Sequence, residues 1–135
     1  MRAIPARWTG IAAALLIMVA LMGGTSFAAE LTLEKKVDGI TVSATLAHNP
    51  PAAGKNNAAV TLTDSTGKPV ADARVIVEYG MEAHGMSSKV AAKFTDGAYK
   101  ALLDLSMGGD WYIEVKVQQT GSKKVSKARF YVEVK

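Results

Sequence analysis

From Ile40 to the end of the chain, apolar and polar residues alternate almost one by one. That period of two leaves room for little besides β-strands, each with one face on a core. Ile40, Val42, Ala44 and Leu46 face one way, with Thr41, Ser43 and Thr45 facing the other. The pattern recurs in Ala58, Val60 and Leu62; in Val75, Val77 and Tyr79; and in Tyr99, Ala101, Leu103 and Leu105. It returns in Trp111, Ile113, Val115 and Val117, and in Phe130, Val132 and Val134. Leu31 to Val37 and Val90 to Phe94 are shorter candidates.

Turn chemistry separates these runs. Asp38-Gly39 is a two-residue hairpin signal. Asp64 to Pro69, Asp96-Gly97, Gly108-Gly109-Asp110 and Gly121-Ser122 read as turns, and His48 to Asn57 as a longer loop. Past the leader no segment repeats at helical spacing. The pattern predicts an all-β chain: an immunoglobulin-like antiparallel β-sandwich of about seven to eight strands, each burying one face.

The first residues obey different rules. Arg2 and Arg7 give a basic start, Ile11 to Met22 is apolar and uncharged, and Ser26 and Ala28 stand at the −3 and −1 positions of a cleavage site. That order predicts a signal peptide over residues 1–28, a mature chain from Ala29, and a periplasmic or otherwise extracytoplasmic domain. The alternative is a retained anchor over residues 8–28, since extending the apolar run through Phe27 just reaches the length of about 20 residues that a span needs. Cleavage after Ala28 leaves 107 residues, the size of one domain. With no cysteine, that domain stands on its apolar core without disulfides. Losing Arg2 and Arg7 reduces the net charge from +4 to +2. The nearest basic cluster, Lys123, Lys124, Lys127 and Arg129, reads as a solvated strand face. Neither a nucleic-acid footprint nor a polybasic membrane patch is present.

One constellation carries chemistry. Met81-Glu82-Ala83-His84-Gly85-Met86 sets two thioethers and an imidazole within six residues, and Met107 lies in a later turn. If every connection reverses the chain, the segment 80–89, the turn 106–110 and the loop bearing His48 share one end of the sandwich. Thioether sulfur is a soft donor that selects Cu(I) over Zn(II), Ca(II) or Mg(II), and it binds without losing a proton. Met81, His84, Met86 and Met107 are therefore the candidate metal ligands, with Cu(I) the candidate cofactor. Plainer readings stand beside this one. Met107 could plug the sandwich end against Trp111, methionine being a common core filler. His84 alone could be a surface histidine, and His48 a turn residue. Met81 and Met86, flanked by Gly80 and Gly85 in a polar loop, are expected to be exposed for binding.

Enzyme signals are missing, and the chain reads as a non-enzyme. It has no cysteine nucleophile, no Gly-x-Ser-x-Gly elbow and no phosphate-binding glycine loop. Its two histidines stand 36 residues apart, unlike a zinc-ligand pair.

The order of motifs resembles a known family. Thr63-Asp64 is followed by Gly67-Lys68-Pro69-Val70, a strand, and Met81-x-x-His84-x-Met86. Asp96-Gly97-x-Tyr99 and Leu105-x-Met107-x-Gly109-x-Trp111 come next. This is similar to YtkA-like domains and to the related FixH-like proteins, over roughly Gly39 to Val134. The resemblance implies an immunoglobulin-like sandwich outside the cytoplasm. It also implies a link to heavy-metal efflux or to assembly of copper-containing cytochrome oxidases, with a membrane oxidase or a metal-efflux complex as partner. The corresponding loop of such domains often runs Met-Pro-x-Met-x-Met, where this chain has Glu82 for the proline and His84 for the middle methionine. Two function classes follow: a Cu(I)-binding or copper-handling accessory domain, and a metal-free interaction module that docks through its methionine-rich end.

Overall fold

The structure is a computed structural model that describes residues 29–135; the predicted signal segment lies outside the described residues. Nine strands follow in order: β1 (Leu31–Val37), β2 (Ile40–Leu46), β3 (Gly54–Thr63), β4 (Arg74–Met81), β5 (Met86–Ala91), β6 (Lys93–Thr95), β7 (Ala98–Leu105), β8 (Gly109–Gln118) and β9 (Ser126–Val134). They form two antiparallel sheets, one ordered β1-β2-β3-β7-β6 and the other β5-β4-β8-β9. Among the described residues the only helical element is a single 3-10 turn, Glu82–His84.

The predicted alternation is the burial pattern. Ile40, Val42, Ala44 and Leu46 of β2 face Val75 and Val77 of β4 and Trp111, Ile113, Val115 and Val117 of β8 across one continuous core. Packing of two inner faces is what a period-two sequence makes possible, since every second side chain reaches the other sheet. At Asp38-Gly39 and Asp96-Gly97 both residues of each turn have positive φ, joining Val37 to Ile40 and Thr95 to Ala98 in two-residue hairpins. Asp64 shapes its own turn, its Oδ1 accepting from the backbone N–H groups of Thr66 and Lys68 at 2.9 and 3.0 Å. Tyr99 ties the crossing between sheets. Its hydroxyl donates to the Val70 carbonyl at 2.7 Å and accepts from the Ala73 N–H at 3.1 Å.

Two elements differ from the sequence expectation. Val90 to Phe94 is not one strand: β5 pairs with β4 in one sheet and β6 with β7 in the other. The chain changes sheets at Ala92, whose N–H donates to the Val75 carbonyl at 2.9 Å. The segment 80–89 is not an open loop. Strand β4 runs through Met81, the 3-10 turn reverses the chain, and β5 starts at Met86, so a tight hairpin replaces it.

The outer face of the second sheet carries a polar network. Glu78 accepts from Lys116 Nζ at 2.7 Å and from the Tyr112 hydroxyl at 2.9 Å. The hydrogen bond from Lys116, then that from Tyr112, holds the Glu78 carboxyl below its usual range. A depressed carboxyl stabilises the fold above its unfolded pKa, and that contribution disappears as pH falls through the lower folded value. The melting temperature should therefore fall between about pH 5 and about pH 2, with a shallower slope in Glu78→Gln. Thermal melts of the two proteins across that range check it. Identical slopes would remove Glu78 from the account and leave Asp38 and Asp64, which hydrogen bonds also depress.

Candidate metal centre

The strand directions bring the candidate residues to one end. Leu31 pairs with Leu46, Gly54 with Leu105, and Gly109 with Val134, so the loop 47–53, the turn 106–108 and the end of β9 are neighbours. The C-terminal residue is stitched in, Lys135 N–H donating to Pro51 O at 2.9 Å and Lys135 O accepting from Ala53 N–H at 3.0 Å. Met81 joins from the other sheet: a Cβ added at Gly109 would stand 2.7 Å from Met81 Cε. The absent side chain at Gly109 is the space that the Met81 methyl uses.

Met81 and Met86 are direct cross-strand partners at the last pair of the β4–β5 ladder. Opposed residues of an antiparallel pair share a face, with Cβ atoms roughly 4.5–5.5 Å apart, so both thioethers lie on the inner face at the sandwich end. Their burial differs from the expectation of exposure. Met81 continues the inward parity of Val75, Val77 and Tyr79 and is 4% exposed, within the core. Met86 is partly buried and packs against that core. Met107 goes the other way: it is 43% exposed. Trp111 is buried and does not need it as a plug, because its indole N–H donates to the Met107 carbonyl at 2.9 Å and directs the backbone of the turn. The core thus takes the Met107 peptide group and leaves its thioether outside. His84 is exposed on the 3-10 turn, and His48 is exposed on the loop 47–53.

The four residues differ in burial, Met81 in the core, Met86 partly buried, Met107 and His84 exposed, and the order β5-β4-β8 sets Met86 and the Met107 turn on opposite sides of Met81. Among the described residues, no group of three or more His, Cys, Asp or Glu side chains is placed to hold a metal ion. The donors abundant at this end are thioethers, which suit a soft monovalent ion.

The sequence reading missed Arg129, which it assigned to a solvated face. Arg129 Nη1 lies 2.9 Å from Glu82 Oε2, its Nε 3.1 Å from Glu114 Oε1, and its guanidinium carbon 4.0 Å from the centroid of the Tyr112 ring. The signal was present in the alternation, since aligning the last two strands sets Glu114 opposite Arg129.

No helix among the described residues is long and apolar enough to cross a membrane. No curated protein matches the chain. Two crystal structures share its fold. One is FetP of uropathogenic E. coli strain F11, expressed in the periplasm of E. coli: TM-score 0.57, 7% identity, 78% of this chain and 95% of that one. The other is the PmoD soluble domain from Methylocystis sp. ATCC 49242 (Rockwell): TM-score 0.52, 12% identity, 78% of this chain and 97% of that one. A family model described as YtkA-like matches residues 34–116.

Proposed function

The chain belongs to the YtkA-like family, and from that membership and the donors at one end of its sandwich we propose an extracytoplasmic domain that binds or handles Cu(I). Met81, Met86 and Met107 supply thioethers, and His84 supplies a neutral imidazole nitrogen. The observation that carries the reading is the pairing of Met81 with Met86 at the end of the ladder, with the Met81 methyl against Gly109 at the start of β8. Two thioethers fixed on one face are preorganised, so little ordering is left for the metal to bring about. The predicted signal segment and the periplasmic expression of FetP support a site outside the cytoplasm, where thioether donors cannot be lost to disulfide formation. A membrane oxidase or a metal-efflux complex is the partner that this role implies.

The exposure of Met107 supports a second reading, a metal-free module that docks through a soft apolar tip. Titration of the purified mature domain with Cu(I) against a competing chelator separates the two. The copper reading expects competition at micromolar metal, and its absence favours docking. Met107→Ala should lower Cu(I) affinity about tenfold while leaving stability within about 0.5 kcal/mol, as for other exposed positions. Unchanged affinity would remove Met107 from the donor set.

A further inference from the structure

The chain has no cysteine, so methionine sulfur is the group in the domain that a two-electron oxidant attacks first. From Ala29 onward the methionines are Met81, Met86 and Met107. The fold treats them unequally. Met81 lies in the core, Met86 is partly buried against it, and Met107 is 43% exposed. The chain neighbours of Met107, Ser106 and Gly108, are small and exposed, so neither shields its sulfur. The turn does not depend on that sulfur either. The Trp111 indole N–H holds the Met107 carbonyl at 2.9 Å, and the flanking residues Leu105 and Gly109 are in ladder pairs with Gly54 and Val134.

We propose that Met107 is a reversible oxidation site. Hydrogen peroxide converts its thioether to the sulfoxide while Met81 and Met86 remain thioethers. A sulfur lone pair attacks one peroxide oxygen, and the S–O bond forms as the O–O bond breaks. The displaced hydroxide takes the proton left on the bound oxygen and departs as water. Sulfur is oxidised by two electrons, and peroxide is reduced by the same two. Methionine sulfoxide reductases reverse the change. The product is polar, and its oxygen is a hard donor where the sulfur was soft. Oxidation therefore takes Met107 out of a Cu(I) donor set without opening the core. That consequence rests on the copper reading of this end; the selectivity of the oxidation does not.

The test treats the metal-free mature domain with hydrogen peroxide, removes the oxidant with catalase, and locates the added oxygen by peptide mass mapping. Met107 should take up oxygen at least about tenfold faster than Met81, with Met86 between them. In guanidinium chloride the three rates should converge, because burial is what separates them. A Met107 preference that survives unfolding overturns the proposal, and so does oxidation of Met81 or Met86 at the Met107 rate in the folded domain. Protein carrying one oxygen should melt within about 4 °C of untreated protein, the shift of an exposed substitution. It should bind Cu(I) about tenfold more weakly, and reductase treatment should restore the affinity. Met107→Leu should lose the fast uptake and show no peroxide-dependent change in Cu(I) affinity. Unchanged Cu(I) affinity in the singly oxidised protein, beside an untreated domain that does compete, overturns the consequence for the metal end. An untreated domain that fails to compete for Cu(I) removes the copper reading instead, and the mass map still decides the oxidation site.

Discussion

Replacing Met81 with alanine lowers the melting temperature of the domain steeply. The side chain is 4% exposed, and its methyl fills the space above Gly109. Truncating a buried methionine costs about 2–5 kcal/mol, through lost burial and the cavity left behind. In a domain of this size each kcal/mol moves the midpoint by roughly 4–8 °C, so a fall of at least about 8 °C is expected. Met107→Ala is the control, because an exposed thioether leaves no cavity. A thermal melt of both variants checks the pair. A Met81→Ala domain that melts with wild type would mean that the sandwich end collapses around the gap. The consequence for the metal reading is direct: binding must be compared in folded protein at low temperature, since Met81 serves core and site together.

Gly80→Ala is expected to be more damaging than its single methyl suggests. A Cβ at that position would lie 1.9 Å from the Met86 carbonyl oxygen and 2.9 Å from Ser87 Cα. Those are backbone atoms of the paired strand, so no rotamer change relieves the clash and the hairpin itself must open. Overpacking a core with a methylene costs about 1–3 kcal/mol when side chains can adjust, and here the loss should exceed about 3 kcal/mol. It should also abolish Cu(I) competition, since separating β4 from β5 parts Met81 from Met86. Denaturant unfolding gives the first effect and chelator titration the second. Ser88→Ala, at an exposed position of β5, should change stability by less than about 0.5 kcal/mol. A Gly80→Ala protein as stable as wild type would show that this close approach is dispensable.

The sandwich was legible because its physics is local. Alternation decides which face of each strand is buried, and Asp-Gly pairs tolerate the positive φ that two-residue hairpins demand, so strands and turns could be read residue by residue. The shared end of the methionines was legible for a related reason, as strand directions can be counted once the turns are known. What sequence could not supply was lateral. Whether Met81 ends a strand or opens a loop depends on Gly80, and the reason for that glycine is a neighbouring backbone 1.9 Å from its missing Cβ. The split of Val90 to Phe94 between two sheets depends on a hydrogen bond from Ala92 to Val75, which local pattern does not encode. Arg129 read as solvated because alternation reports which face a side chain is on, and is silent about partners on that face. Met107 reads equally as plug or ligand in sequence; the structure removes the plug, with Trp111 binding the carbonyl and the side chain exposed.

The stitching of Lys135 to Pro51 and Ala53 has a practical consequence. A polyhistidine tag appended at that residue would emerge beside the methionines, and a short flexible tether holds its imidazoles at an effective concentration of about millimolar. Such a tag would act as a tethered chelator. It would add nitrogen donors to those of His48 and His84, and it would make a tagged protein take up divalent metals through a site of the experimenter's making.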